Sequence, residues 1–316
     1  RHFLLGGRLP GSREEFVNPE LRGWNCPQPP VQASHEVGLP LYLVAGRYCD
    51  SGRDVYLRRV LKVAAVPTAA MNEGAVLHDV VRKLRDFEAE MSFDHCRLAS
   101  DEFADKARAL WTFELRRICY RLEETLAKQP YIQEDALAYL TLPVVLEQKV
   151  DGSFLGLSKN LSCDAMVFGE PMIMEVKFGP ALPFYRLYTT GYALVAEALY
   201  GHPVNLGWLI YPRFSEDVSR ITVKRDLHLI SDELRIQFLE QRDEMSRIVA
   251  LEIDPGLPQS CYSKCRLWLH CHGGEHAPQA HNQKALERIR ELRLSKIEQD
   301  STQRPPDPGI EAPQTS

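Results

Sequence analysis

The sequence predicts an α/β fold, a mixed central sheet flanked by helices, on three observations. Apolar residues recur at helical spacing through much of residues 41–128. Strand-like runs broken by turn signals replace them between residues 142 and 178. Beyond residue 183 helical and strand patterns alternate, with a helix at 183–200, strands at 204–211 and 221–225, and a long helix at 231–250.

Each element follows from local chemistry. Residues 1–40 are rich in Pro and Gly, and Arg22-Gly23-Trp24-Asn25-Cys26 runs into Pro27, Pro29 and Pro30, so an irregular wrapped arm is expected. A domain spanning 41–275 follows, with a helical insert at about 71–130. It opens with a helix, a turn at Asp50-Ser51-Gly52 and a second helix start. Val76, Leu77, Val80, Val81 and Leu84 put a helix over 71–90, and Phe103, Ala107, Leu110, Trp111 and Ile118 put another over 101–128, stopped by Pro130.

Leu142 to Val150 reads as a strand, Asp151-Gly152 as a hairpin turn, and Phe154 to Leu157 as the returning strand. Leu161 to Phe168 and Met172 to Phe178 flank the turn Gly169-Glu170-Pro171, making an antiparallel meander of three or four strands. Pro183 opens the next helix and Gly201 closes it; Ser231-Asp232-Glu233 opens the last long one. From 276 to 316 a charged amphipathic helix at 282–299 gives way to a segment with four prolines, where disorder is expected.

Composition narrows the class. With 316 residues, 44% apolar and 26% charged, the chain suits a soluble globular protein. A net charge of −5 weighs mildly against a nucleic-acid binder but leaves room for a local basic groove. No apolar run reaches the roughly 18 residues of a membrane helix. Arg1 to Pro10 lack the h-region of a secretory signal, and the start without Met leads us to expect a few residues ahead of it. Eight cysteines are too sparse for a disulfide scaffold, so a reducing cytoplasm is expected.

The chemistry-bearing motif is Asp164 followed by Glu175-Val176-Lys177. Residues i and i+2 of a strand share a face, so Glu175 and Lys177 project together, and a hairpin sets Asp164 beside them. Two carboxylates can hold Mg²⁺ or Mn²⁺, with the Val176 carbonyl as a further oxygen ligand. Such an ion polarises a phosphodiester, and a lysine offsets the charge that grows on phosphorus. The plainer alternative is a surface pair on an edge strand. The apolar neighbours Ile173, Met174 and Phe178 oppose it, because a charged pair there is costly unless it coordinates something. His78 lies among apolar positions of its helix, as a core histidine or a third ligand. Tyr188 and Tyr192 share a helix face, for stacking on a base or for core packing.

Cys261, Cys265 and Cys271 fall within eleven residues. A four-thiolate centre needs one more: Cys49, at a helix end, is the best candidate and Cys26 the second. Cys163 points away from Asp164 into the core, and Cys96 and Cys119 read as buried small hydrophobes or unremarkable surface thiols. Thiolates suit iron–sulfur or zinc, and His270 and His272 beside Cys271 keep zinc open.

Taken together, His78, Asp164, Glu175-x-Lys177, a tyrosine-bearing helix and one early cysteine with three late ones resemble the RecB-like iron–sulfur exonucleases associated with CRISPR systems. These belong to the PD-(D/E)xK, restriction-endonuclease-like superfamily. The resemblance runs from about residue 38 to 273. Arg22-Gly23-Trp24, the stretch Tyr48 to Leu57, and Thr189-Thr190-Gly191-Tyr192 are similar to the type I-A branch. The resemblance implies His78, Asp164, Glu175 and the Val176 carbonyl as metal ligands, Lys177 as the catalytic lysine, and Tyr192 as the tyrosine of a Gln-x-x-x-Tyr motif. It implies Cys49, Cys261, Cys265 and Cys271 as ligands of a 4Fe–4S cluster. Two positions depart from the pattern: Tyr188 stands where the family has Gln, and the first late cysteine gap is three residues rather than two. The implied role is trimming single-stranded DNA or overhangs of spacer precursors in CRISPR adaptation, beside the integrase and its small partner subunit. The alternative is a non-catalytic DNA-binding or scaffolding subunit on the same fold, which Tyr188 and the acidic net charge favour.

Overall fold

The computed structural model describes residues 17–46, 48–64, 68–83, 103–141, 145–167, 171–261 and 265–272. The chain divides into two compact units, residues 1–64 with 70–263, and residues 65–69 with 264–316. Cys96, residues 84–90 of the expected third helix, residues 142–144 of the expected first strand, and the 276–316 tail lie outside the described residues.

The first unit is built on a five-stranded sheet, β1 Val145–Val150, β2 Leu161–Val167, β3 Met172–Val176, β4 Leu206–Phe214 and β5 Ile221–Leu229, whose spatial order matches the chain order. β1, β2 and β3 form the expected antiparallel meander, β3 and β4 run parallel, and β5 returns antiparallel to β4. A parallel step needs a crossover. The helix between β3 and β4, Arg186–Tyr200, supplies it and makes the sheet mixed.

Seven helices of this unit are described: α1 Leu41–Ala45, α2 Arg53–Arg59, α3 Ala69–Lys83, α4 Ala104–Lys128, α5 Glu134–Thr141, α6 Arg186–Tyr200 and α7 Asp232–Ala250. A short α8, Trp268–His272, belongs to the second unit. Among the described residues no helix is long and apolar enough to cross a membrane.

α6 is buried continuously from Leu187 to Glu197, between the sheet and α7. Gly191 makes that possible, because a Cβ there would stand 2.6 Å from the Phe238 ring of α7. A separate cluster joins Val76, Leu77 and Val80 of α3 to Leu110 and Trp111 of α4, with Phe178, Phe214 and Ile221 against it.

From Val17 onward the arm is irregular, as its prolines require, with short 3-10 turns at Pro19–Leu21 and Gly23–Asn25. It is nonetheless fastened. Arg22 reaches through the core to Glu197 at 2.7 Å and Asn205 at 2.6 Å, and Arg235 binds the same carboxylate at 2.8 and 2.9 Å. Arg242, also buried, donates to the carbonyls of Val31 and Gln32.

Two expectations need correction. Phe154 to Leu157 is not the returning strand: Ser153–Leu155 is a 3-10 turn closed by Gly156 at φ 68°, and the partner of β1 begins at Leu161. Leu155 and Leu157 are apolar because they plug the core, and the loop is tied to the arm by Leu39 N to Gly156 O and Ser158 N to Leu39 O. A sequence-distant contact therefore overrides a local β-like run. Helix α5 was not anticipated, and β5 continues four residues past the expected Arg225.

Candidate active site

The β2–β3 register, Ala165 opposite Met174 and Met166 opposite Ile173, sets Asp164 across from Glu175. The Val176 amide donates to Asp164 Oδ2 at 2.8 Å, fixing that carboxylate on the end of β3. Lys177 Nζ donates to Glu175 Oε1 at 2.6 Å, while Glu175 Oε2 is buried with no hydrogen-bond partner. His78 arrives from α3, with Nδ1 3.9 Å from Asp164 Oδ2 and its ring edge-on to Phe178. The structure thus brings His78, Asp164, Glu175 and Lys177 together.

Glu147 joins them. One ligand atom each from His78, Glu147 and Asp164 lie within 4.8 Å of one another. Glu147 sits in β1 between the paired Leu146–Ala165 and Gln148–Cys163, at a φ of 48° that is rare for a non-glycine residue. Ser162 Oγ donates to its carboxylate at 2.7 Å. The available signal is an acid in the middle of a strand bounded by Val145, Leu146 and Val150. Its place opposite Asp164 depends on a register set by the whole loop between Val150 and Leu161.

The electrostatics show a site short of positive charge. Burial pushes the Asp164 carboxyl up to about 6, against the pull of Lys177. Burial, reinforced by Asp164, pushes Glu175 up to about 7. Burial draws His78 down, so its imidazole is neutral and free to ligate. Burial also draws on Lys177, but Glu175 and Asp164 outweigh it and hold the ammonium above its ordinary value. A buried unpartnered oxygen calls for an explanation. Beside two destabilised carboxylates and a neutral imidazole, the donor set fits a hard divalent cation.

This has a measurable pH consequence. Both carboxyls titrate at higher pH in the folded chain than in the unfolded one. They therefore cost the fold nothing below the unfolded value and destabilise it as pH rises through the range ending at about 6 and about 7. A cation binds the ionised forms and offsets that cost. If the cluster takes Mn²⁺, the melting temperature should rise little at pH 5.5 and several degrees more at pH 8. Equal shifts at both pH values would contradict this.

Tyr188 and Tyr192 are buried, at 7% and 8% exposure. Lys177 Nζ lies 3.8 Å from the centre of the Tyr188 ring, a cation–π contact that fixes the ammonium. The Tyr192 hydroxyl donates to the Ser162 carbonyl, tying α6 to β2 two residues ahead of Asp164.

The cysteines are placed as follows. Cys163 is buried and Cys119 exposed, while Cys26, Cys49, Cys261, Cys265 and Cys271 are half-buried. Cys49 and Cys261 belong to the first unit, Cys265 and Cys271 to the second. Cys49 Sγ lies 3.6 Å from Ser51 Oγ, which donates to Gly256 O, and Arg53 pairs with Asp254 at 2.9 Å. The corner carrying Cys49 is therefore fastened to the segment leading into Cys261. In α8 the His272 ring stacks on Trp268 at 3.8 Å.

Comparison with known proteins places these features in a family context. The profile of the family described as CRISPR-associated exonuclease Csa1 matches residues 4–275. A protein named CRISPR-associated exonuclease Csa1 from Thermoproteus tenax is 34% identical over 262 residues, covering 81% of this chain and 91% of the relative. One of the same name from Saccharolobus solfataricus is 30% identical over 274 residues, covering 81% and 92%.

Proposed function

Since this chain belongs to the CRISPR-associated exonuclease Csa1 family, we propose that it is a PD-(D/E)xK nuclease that uses Mn²⁺ or Mg²⁺ to trim single-stranded DNA or overhangs of spacer precursors during CRISPR adaptation. The observation that carries the reading is the unpartnered Glu175 Oε2, two residues before Lys177 and paired to it through its other oxygen, beside the His78, Glu147 and Asp164 cluster. His78, Asp164, Glu175 and the Val176 carbonyl would hold the ion, with Glu147 beside them. When bound, the ion polarises the phosphodiester and lowers the pKa of a water molecule.

The chain's own residues do the rest. Asp164 is oriented before substrate arrives by the Val176 amide. Lys177, held between Glu175 and the Tyr188 ring, presents a fixed ammonium that orients the attacking water and offsets charge on the scissile phosphate. Tyr188 and Tyr192 act from behind the site, the first steadying Lys177 and the second steadying β2. End-labelled single-stranded DNA with Mn²⁺ tests the proposal. Trimming by the wild type, lost in Lys177→Ala, supports it; binding without trimming by the wild type supports the scaffolding alternative.

Cys49, Cys261, Cys265 and Cys271 are proposed to ligate a 4Fe–4S cluster. The tether between the Cys49 corner and residues 254–256 supports the first two as partners. The stacking of His272 on Trp268 favours thiolates over imidazole. A clasp joining positions more than 200 residues apart couples cluster binding to folding. Cys261→Ala should therefore give poorly soluble protein lacking the brown colour of the wild type. Zinc in the anaerobically purified wild type, or a soluble and fully active Cys261→Ala, would contradict this. Work in the cytoplasm beside the integrase and its small partner subunit completes the proposed role.

A further inference from the structure

Five aromatic rings run from the surface to the catalytic lysine. Tyr48 is 57% exposed and meets Phe184 edge-to-face at 5.2 Å between ring centres. Phe184 meets Tyr185 at 5.1 Å, and Tyr185 meets Tyr188 at 6.1 Å and Tyr211 at 6.4 Å. Lys177 Nζ closes the array, 5.4 Å from the Tyr185 ring centre and 3.8 Å from that of Tyr188. We propose that Tyr48, Phe184 and Tyr185 form a stacking platform for an unpaired nucleobase of the DNA strand whose phosphate Lys177 engages, an inference that rests on the nuclease reading above.

Three features support it. Tyr48 is built into its position: Gly46 has no side chain, and a Cβ there would stand 2.9 Å from the Tyr48 ring. A large exposed ring held in this way, continuous with a partly buried aromatic wall, marks a ligand surface more than a core remnant. The wall is neutral, because tyrosine hydroxyls stay protonated near neutral pH and burial only pushes those of Tyr185 and Tyr188 further up, so it places no anion beside a phosphate. Tyr48 offers the most exposed ring of the array, with Phe184 and Tyr185 half-buried behind it, and bases stack on aromatic faces regardless of sequence. Inner tyrosines thus fix the lysine while outer rings receive the base.

The test uses the full chain and a short single strand, with Ca²⁺ in place of Mn²⁺, and measures affinity by fluorescence anisotropy. One strand carries all its bases; another is abasic at the terminal nucleotides. Wild type should bind the abasic strand about five- to a hundredfold more weakly, the range of a lost base–aromatic stack. Tyr48→Leu and Phe184→Leu should show that loss on the complete strand and little further loss on the abasic one. Tyr48→Phe should recover most of the affinity lost in Tyr48→Leu. Equal wild-type affinity for both strands overturns the proposal, and that comparison needs no variant to fold. Parallel Mn²⁺ reactions separate the two ideas. Base-dependent binding without trimming sinks the nuclease reading alone, whereas trimming with no base dependence sinks the platform alone.

Discussion

Glu175→Gln should lower Mn²⁺-dependent trimming of single-stranded DNA by more than about a hundredfold, yet leave the metal-free protein no less stable than wild type at pH 8. The two effects separate because of where the carboxylate stands. Glu175 is 5% exposed, and only one of its oxygens has a partner, Lys177. At pH 8 the wild type holds an ionised group whose carboxyl burial has pushed up to about 7. An amide of the same shape removes the charge and still accepts from Lys177. A site shaped for a cation loses its function and keeps its fold. A merely structural ion pair would instead lose stability and leave trimming intact. Gel assays of trimming beside thermal melts in metal-free buffer distinguish these outcomes.

Glu197→Ala should cost about 3–5 kcal/mol of stability. Its carboxylate is fully buried, and it accepts from Arg22, Arg235 and the backbone amides of Gly23 and Val204. Burying an ion pair is weak evidence of net stabilisation, but removing one partner strands the other charge in the core. Here one deletion strands two guanidinium groups and releases the arm from α6 and α7. Urea denaturation measures the cost, and proteolysis of residues 17–40 should accelerate alongside it. A loss below about 1 kcal/mol, within the range of ordinary point substitutions, would contradict this reading of the network.

How much could be read in advance depended on whether the cause was local. The meander, the long helices and the Glu175-x-Lys177 strand follow from short-range periodicity and turn residues, and the sheet carries them at close to the expected positions. The stretch Phe154 to Leu157 reads as a strand although only Leu155 and Leu157 plug the core, Leu157 against Leu39, and Phe154 is exposed; alternating apolar residues look the same whether they pair in a sheet or anchor a loop. Glu147 was hidden for the same reason, since its partner across the hairpin follows from the true loop length. The shared face of Tyr188 and Tyr192 was legible, but α6 is buried on all sides, so periodicity could not tell packing from exposure. Nor could it show that Tyr48, some 140 positions earlier in the chain, would meet Phe184.

Anomalous diffraction at the manganese edge, from crystals grown with Mn²⁺, tests the proposed cation site most directly. A single strong peak within coordination distance of His78, Asp164 and Glu175, absent from Glu175→Gln crystals, is expected. No peak there, or an equal peak in Glu175→Gln, would contradict it.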